Sequence, residues 1–384
     1  MLGLAPAVAV FFLLNTVSLR MSLFWAFGLG LGFILQRSRF CLVSTIKSCI
    51  VTRDTRRMEG MMRGLFIATL GFTAIMMRMM PIPGPGFIRN AVVVSPFGWH
   101  LLLGGILFGT GAMLSGGCVV GHLYRLGQGS VSSAVSFIGV LIGMGALQFN
   151  WTWWWDTYIS KQTAIWLPAK MGWAAAVCLT LAVIAGIYIF LRCIVRKRIS
   201  PESAEVCMCS MPQKQGLYLR KFDIFNPDRS PAAGWVMLGI MNVLMYWILE
   251  RPWTVTGEVM SWAQGIFTFF HIPLLPLQAV LGTCVVGGAP GQLTWGLMLN
   301  TGIIGGSLLA AMFFGDFKLS LPRRNIVFRL LLGGLLMGYG AGLASACFIG
   351  GFFSAVPSLG LNGFAFGASI FLGACATLLL VKRL

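Results

Sequence analysis

Two apolar, glycine-studded stretches that nearly copy one another constrain this chain more than anything else in it. The first runs from Leu102 to Gly121 as LLGGILFGTGAMLSGGCVVG, and the second from Leu331 to Gly350 as LLGGLLMGYGAGLASACFIG. Eleven of the twenty positions are identical without a gap, and Cys118 maps onto Cys347, 229 residues further on. Each run is long enough to cross a bilayer, which takes about 20 apolar residues. Glycine inside a helix costs roughly 1 kcal/mol relative to alanine. Irregular backbone at membrane depth is tolerated only where protein buries it or where it lines a cavity. Each block is therefore expected to end as a half-helix followed by a loop inside the membrane. Helix ends there offer unpaired backbone groups and a partial charge to a ligand.

Composition agrees with a chain solvated by lipid. Of 384 residues, 57% are hydrophobic and 10% charged, against roughly 25% charged in a soluble domain. The 49 glycines suit close helix approach in a bilayer. The net charge of +18 is explained first by basic residues collecting in cytoplasmic loops, and the remainder draws anions toward a pathway. The basic residues sit in short loops between spans, which argues against nucleic acid as a partner. The ten cysteines lie mostly in or beside apolar runs, where a free thiol behaves as a small hydrophobe. No Walker, Rossmann or zinc-ligand spacing occurs, so the reading assigns no cofactor or metal.

Along the chain, apolar segments begin at Leu4 to Val17 and Leu23 to Leu35. The second runs into Gln36-Arg37-Ser38-Arg39-Phe40-Cys41, after which Ser44, Thr45 and Ser48 fall on the helical face of Cys41. A basic loop with Arg53, Arg56, Arg57 and Arg63 marks the cytoplasm. Further spans are expected at Gly64 to Met80, Trp99 to Leu114, Val131 to Phe149 and Gly172 to Leu191. Gly121 to Gly129, with His122 and Arg125, is expected to be a loop. The stretch 192–231 is the long polar connector between a first transmembrane half, 1–191, and a second, 232–384. It holds Cys207 and Cys209, whose role the sequence leaves open. In the second half, Gly234 to Leu249, Leu293 to Phe314, Leu330 to Ala346 and Phe364 to Leu380 are spans. Arg251 to Glu258 is expected as an external turn, and Leu274 to Gly291, with Cys284, as a re-entrant segment.

With that segment not spanning, five crossings separate the starts of the two similar blocks, which makes them antiparallel. The expected fold is an all-α polytopic membrane protein of about nine spans, with inverted internal repeats and broken or re-entrant half-helices. In such transporters the broken helices meet near the midplane. Cys118 and Cys347 would then face one path from opposite sides. A thiol is a weak donor and a soft sulfur, suited to an anion with terminal sulfur or selenium. Arg37, Arg39 and the half-helix ends would offset its charge; Arg125 either adds to that charge or snorkels from a helix end, and His122 is either a proton or anion contact or a loop histidine satisfied by backbone.

Three stretches carry a family resemblance: Gly32 to Cys41, Leu103 to Arg125 with Ser115-Gly116-Gly117-Cys118 and Tyr124-Arg125, and Gly333 to Gly350 with Cys347. They resemble the YeeE/YedE sulfur-transport family of bacterial inner-membrane proteins. Trp253 to Glu258 also resembles a segment of its longer members, some assigned to selenium. The resemblance implies uptake of thiosulfate or a related anion by a transporter and not an enzyme, with Cys41, Cys118 and Cys347 passing the ion by S–H···S contacts. It also implies the inner membrane as location and allows a cytoplasmic sulfur-carrier protein as partner. Transport of a selenium compound or persulfide, and a membrane thiol redox enzyme, are the alternatives. The third block departs from the second, with Ala344-Ser345-Ala346 in place of Ser115-Gly116-Gly117.

Overall fold

A computed structural model describes residues 4–83, 92–195, 232–271 and 293–381. Helices run α1 Leu4–Val17, α2 Leu19–Arg37, α3 Leu42–Lys47, α4 Arg56–Met79, α5 Trp99–Ser115, α6 Val119–Gly127, α7 Val131–Thr157 and α8 Leu167–Phe190. They continue as α9 Ala233–Leu249, α10 Thr256–Phe269, α11 Trp295–Phe313, α12 Arg324–Leu343 and α13 Leu361–Val381. Among the described residues only isolated bridges represent β structure. Eight helical segments in that set are long and apolar enough to cross a bilayer, and Ala233–Leu249 is a shorter apolar helix beside them. The fold is that of an all-α polytopic membrane protein.

The glycines of the two similar blocks are spent on contact between their helices. A Cβ on Gly104 would fall within 3.0 Å of the Gly340 carbonyl, and one on Gly111 within 3.0 Å of the Gly333 carbonyl. Low numbers on α5 thus meet high numbers on α12, so the two helices run antiparallel. Gly104 corresponds to Gly333 in the repeat, and Gly111 to Gly340. The two contacts therefore exchange when the blocks exchange, as under an approximate twofold axis.

The same exchange relates the flanking helices. Gly338 on α12 lies against the Val140 carbonyl of α7, and Gly109 on α5 lies against the Ile370 carbonyl of α13. Gly143 on α7 meets the Leu335 carbonyl, and Gly373 on α13 meets the Ile106 carbonyl. Small residues allow this approach, since lipid offers no hydrophobic drive between helices and packing must supply it. Elsewhere α2 runs parallel to α11 through Gly28 on Gly302 and Leu29 on Gly306, and α4 runs parallel to α9 through Gly64 on Trp235. Each of these pairs joins a helix before the connector to one after it.

Two local expectations are corrected. Gly121 to Gly129 is not a loop: Val119–Gly127 is helix α6, with Cys118 as its N-cap. Val119, Val120, Leu123 and Tyr124 are all buried, and that apolar face carries the helix. Nor is 251–258 an external turn throughout. Trp253 and Val255 are buried at 0% and 1% exposure, and α10 begins at Thr256. The chain turns inward here because Asn242 of α9 accepts from the Trp253 N–H at 3.0 Å and Ser354 donates to the Trp253 carbonyl at 2.8 Å. Leu274 to Gly291 with Cys284, and the connector beyond 195 with Cys207 and Cys209, lie outside the described residues.

Candidate functional site at the helix breaks

The three singled-out cysteines share one backbone design. The helix before each ends, the residue two positions earlier turns left-handed, and the cysteine itself is extended. Before Cys41 that residue is Arg39 (φ 46), before Cys118 it is Gly116 (φ 81), and before Cys347 it is Ser345 (φ 53). Glycine tolerates this region without a Cβ penalty; Arg39 and Ser345 occupy it because the flanking helices fix the path. Cys41 (φ −152) and Cys118 (φ −88) then cap α3 and α6, each sulfur accepting a backbone N–H at 3.4 Å, from Ser44 and Gly121 respectively. Cys347 (φ −104, ψ −178) leads into a π-helical turn, Phe348–Ser354. A fourth break follows α9, where Glu250 is left-handed (φ 56) and Pro252 stands two residues on, with no thiol.

Helix α6 ties the first two breaks together. Arg125 Nη1 donates to the Gly116 carbonyl at 2.8 Å, and its Nη2 donates to Cys41 Sγ at 3.4 Å. The Tyr124 hydroxyl donates to the Phe40 carbonyl at 2.7 Å. His122 Nε2 lies 3.2 Å from Ser115 Oγ, and that hydroxyl sits 2.8 Å from the Gly111 carbonyl and 3.2 Å from that of Gly117. His122 and Ser115 thus form the scaffold of the Cys118 break. The third break joins through aromatic rings: Phe348 packs on Phe40 at 6.4 Å between centroids, and both pack on Trp235. All three cysteines are buried, at 8%, 2% and 1% exposure for Cys41, Cys118 and Cys347. Cys118 is within electrostatic reach of both others.

The charge in this cluster is unbalanced. Arg125 is half-buried, and among the described residues no carboxylate lies within ion-pair distance of it. A cation withdrawn from water is costly unless paired. Its partners are the Gly116 carbonyl, the Cys41 sulfur and the Tyr124 ring face at 5.9 Å. The arrangement offers one fixed positive charge beside three soft donors.

The other candidate residues divide. Arg37 sets its guanidinium 3.8 Å from the Phe314 ring centroid. Arg39 is exposed and lines a narrow cleft that reaches Cys41. The hydroxyls of Ser44 and Thr45 do share the Cys41 side, and both donate to the Cys41 carbonyl at 2.9 Å. Two contributors escaped the sequence reading. Ser115 was visible only as part of the Ser-Gly-Gly-Cys string, and Arg57, whose Nη1 donates to Ser44 Oγ at 2.9 Å, looked like one of several loop arginines. In the Trp253 to Glu258 segment, Glu258 accepts from Trp262 Nε1 at 3.0 Å and from Thr294 Oγ1 at 2.6 Å. Thr294 also caps α11 through the Leu297 N–H, so this carboxylate fastens α10 to α11. Among the described residues no group of three or more His, Cys, Asp or Glu is placed to hold a metal ion.

Comparison with known proteins agrees with the architecture. The family described as sulphur transport matches residues 37–376, which includes all three breaks with a thiol. The chain is 24% identical over 332 residues to the thiosulfate transporter TsuA of Escherichia coli K12, covering 84% of each chain. It is 25% identical over 352 residues to the thiosulfate transporter TsuA of Spirochaeta thermophila, covering 90% of this chain and 93% of that one. A probable transporter, YedE of Salmonella typhimurium, is 30% identical over a shorter stretch of 153 residues, 38% of this chain and 36% of its own. A family match over that length, on a polytopic helical body, makes this chain a member of the sulphur-transport family.

Proposed function

We propose that this protein carries a small sulfur-containing anion, thiosulfate first among them, inward across a bacterial inner membrane. The observation that carries the reading is Arg125: a guanidinium with no carboxylate partner among the described residues, bonded to the Cys41 sulfur and the Gly116 carbonyl. Thiosulfate has a hard end of three oxygens and a soft terminal sulfur. The guanidinium offsets its charge, and the thiols of Cys347, Cys118 and Cys41 donate weak S–H hydrogen bonds to its sulfur in turn. Three weak contacts hold the ion without trapping it, as conduction requires. His122 acts by keeping the Cys118 break in shape. Arg39 stands on the side of the basic loops, where the ion leaves.

The exchange of glycine contacts between blocks supports reading α5–α7 and α12–α13 as inverted repeats, and the two halves as one integral membrane unit. The two TsuA relatives support thiosulfate as cargo. The basic loops suit an acidic cytoplasmic sulfur-carrier protein as recipient. The reading is tested in a bacterial strain that depends on this chain for growth on thiosulfate. Cys41→Ala, Cys118→Ala and Cys347→Ala are each expected to cut labelled thiosulfate uptake about fivefold, since each removes a contact worth on the order of 1 kcal/mol. Uptake unchanged in all three variants sinks the relay.

A further inference from the structure

We propose that the cleft beside Cys41 is a second anion subsite, where Arg57 takes the oxygens of a tetrahedral oxyanion whose sulfur has passed the Cys41 thiol. This rests on the transport reading above and extends it from the thiols to the exit. The cleft is lined by Arg39, Cys41, Ser44, Thr45, Arg57 and the Trp235 ring, among others. Its Arg57 belongs to the same basic stretch as Arg53 and Arg56.

Three features point to an anion. The Arg57 guanidinium has five N–H donors, and its hydrogen bond to the described residues is a single one, to a neutral hydroxyl. Among the described residues no carboxylate is within ion-pair distance of it. Arg57 also stands in the first turn of α4, at the positive end of a 24-residue helix. A cation there opposes the helix dipole, whereas an anion is favoured. Finally, Ser44 links the two chemistries. Its N–H donates to Cys41 Sγ at 3.4 Å, its hydroxyl donates to the Cys41 carbonyl at 2.9 Å, and the same oxygen accepts from Arg57.

Cys41 therefore lies between two guanidinium groups. Arg125 reaches its sulfur from the α6 side, and Arg57 reaches it through Ser44 from the α4 side. An ion with a soft end and a hard end presents its sulfur to the thiol while its oxygens move from the first arginine to the second. In the described conformation the cleft has room for little more than a water. Arg57 must leave Ser44 Oγ for the ion to enter, so the same hydrogen bond closes the exit when it is empty.

Sulfate tests this, because it has the oxygens of the cargo and lacks the soft sulfur. In the full-length protein held in nanodiscs of neutral lipid, alkylation of Cys41 by N-ethylmaleimide is followed by mass spectrometry of its peptide. Sulfate is expected to slow alkylation of wild-type Cys41 by about tenfold, the effect of one charge-assisted contact. Arg57→Gln is expected to lose that shielding and Arg57→Lys to keep part of it. Shielding that persists in Arg57→Gln overturns the subsite, because the ion would then be held by Arg125 alone. Shielding that appears with anionic lipid and no sulfate overturns it in favour of a lipid headgroup. Loss of thiosulfate uptake as the protein's activity, with sulfate shielding intact, would instead overturn the cargo and leave the subsite standing.

Discussion

Arg125 does two things at once, and the two call for different variants. Its planar fork spans the Gly116 carbonyl and the Cys41 sulfur, which a lysine ammonium cannot do in the same geometry. Its charge, by contrast, survives in lysine. Arg125→Lys is therefore expected to keep measurable uptake with affinity for thiosulfate reduced by about tenfold, one lost charge-assisted hydrogen bond. Arg125→Gln, which removes the charge, is expected to abolish saturable uptake. Both are read from the concentration dependence of uptake in membrane vesicles, and equal behaviour of the two would show that charge is not what Arg125 contributes. At this scale the sequence was informative about identity and silent about pairing. Cys118 and Cys347 announced themselves by their repeat. Cys41 needed the family resemblance, because a single thiol after Arg-Phe carries no periodic signal. That Arg125 of one break would meet Cys41 of another, 84 positions earlier, has no local signature at all. Arg37 and Arg39 looked equivalent, two residues apart, yet one faces Phe314 and the other the cleft, since the left-handed turn at Arg39 separates them.

The elements hold together through glycines that meet backbone, and the exchange of the two blocks makes this testable in pairs. Gly338 lies on the Val140 carbonyl and Gly109 on the Ile370 carbonyl, in positions that correspond. A methyl group at either site has nowhere to go, because a carbonyl on a packed helix does not move as a side-chain end does. Gly109→Ala and Gly338→Ala are each expected to destabilise by about 1–3 kcal/mol, the ordinary cost of overpacking. Thermal melting of the purified protein in detergent measures both. A large loss at one and none at the other would remove the equivalence of the α5–α13 and α7–α12 contacts. The spans were legible because hydropathy at this length is unambiguous. Helix α6 was not, because nine residues beginning Val-Val-Gly-His and ending in glycine are too short to make a span. Its stability comes from burial of Leu123 and Tyr124 and from the Cys118 cap, which are tertiary facts.

At the scale of the whole molecule, the loops sort into two faces by contacts alone. On one face Ser130 pairs with Ser320, and the Lys318 N–H donates to the Gln128 carbonyl. On the other, Pro96 pairs with Ala164 and Trp166 with Gly360. Helix α7 and the broken α5–α6 segment run between these two sets, and α8 and α13 start from the second. The sequence anticipated this sorting, since counting crossings from the basic loops puts 129–130 and 318–320 on one side and 96 and 164 on the other. The charge of +18 then decides which face is which. Lys318, Arg323 and Arg324 stand beside the first face, and Lys and Arg concentrate on the cytoplasmic side of bacterial membrane proteins, so the first face is expected inside. In a background without other reactive thiols, Lys161→Cys, on the turn Ile159–Lys161, should be modified by a membrane-impermeant maleimide in intact cells. Lys318→Cys should be modified only after the membrane is permeabilised. Labelling of both in intact cells would break the two-face arrangement, and the reverse pattern would invert the direction in which the anion meets Cys347, Cys118 and Cys41. The distinction reaches the mechanism, because only with Cys41 and Arg57 on the inner side does the ion leave the last thiol toward a basic cytoplasmic exit.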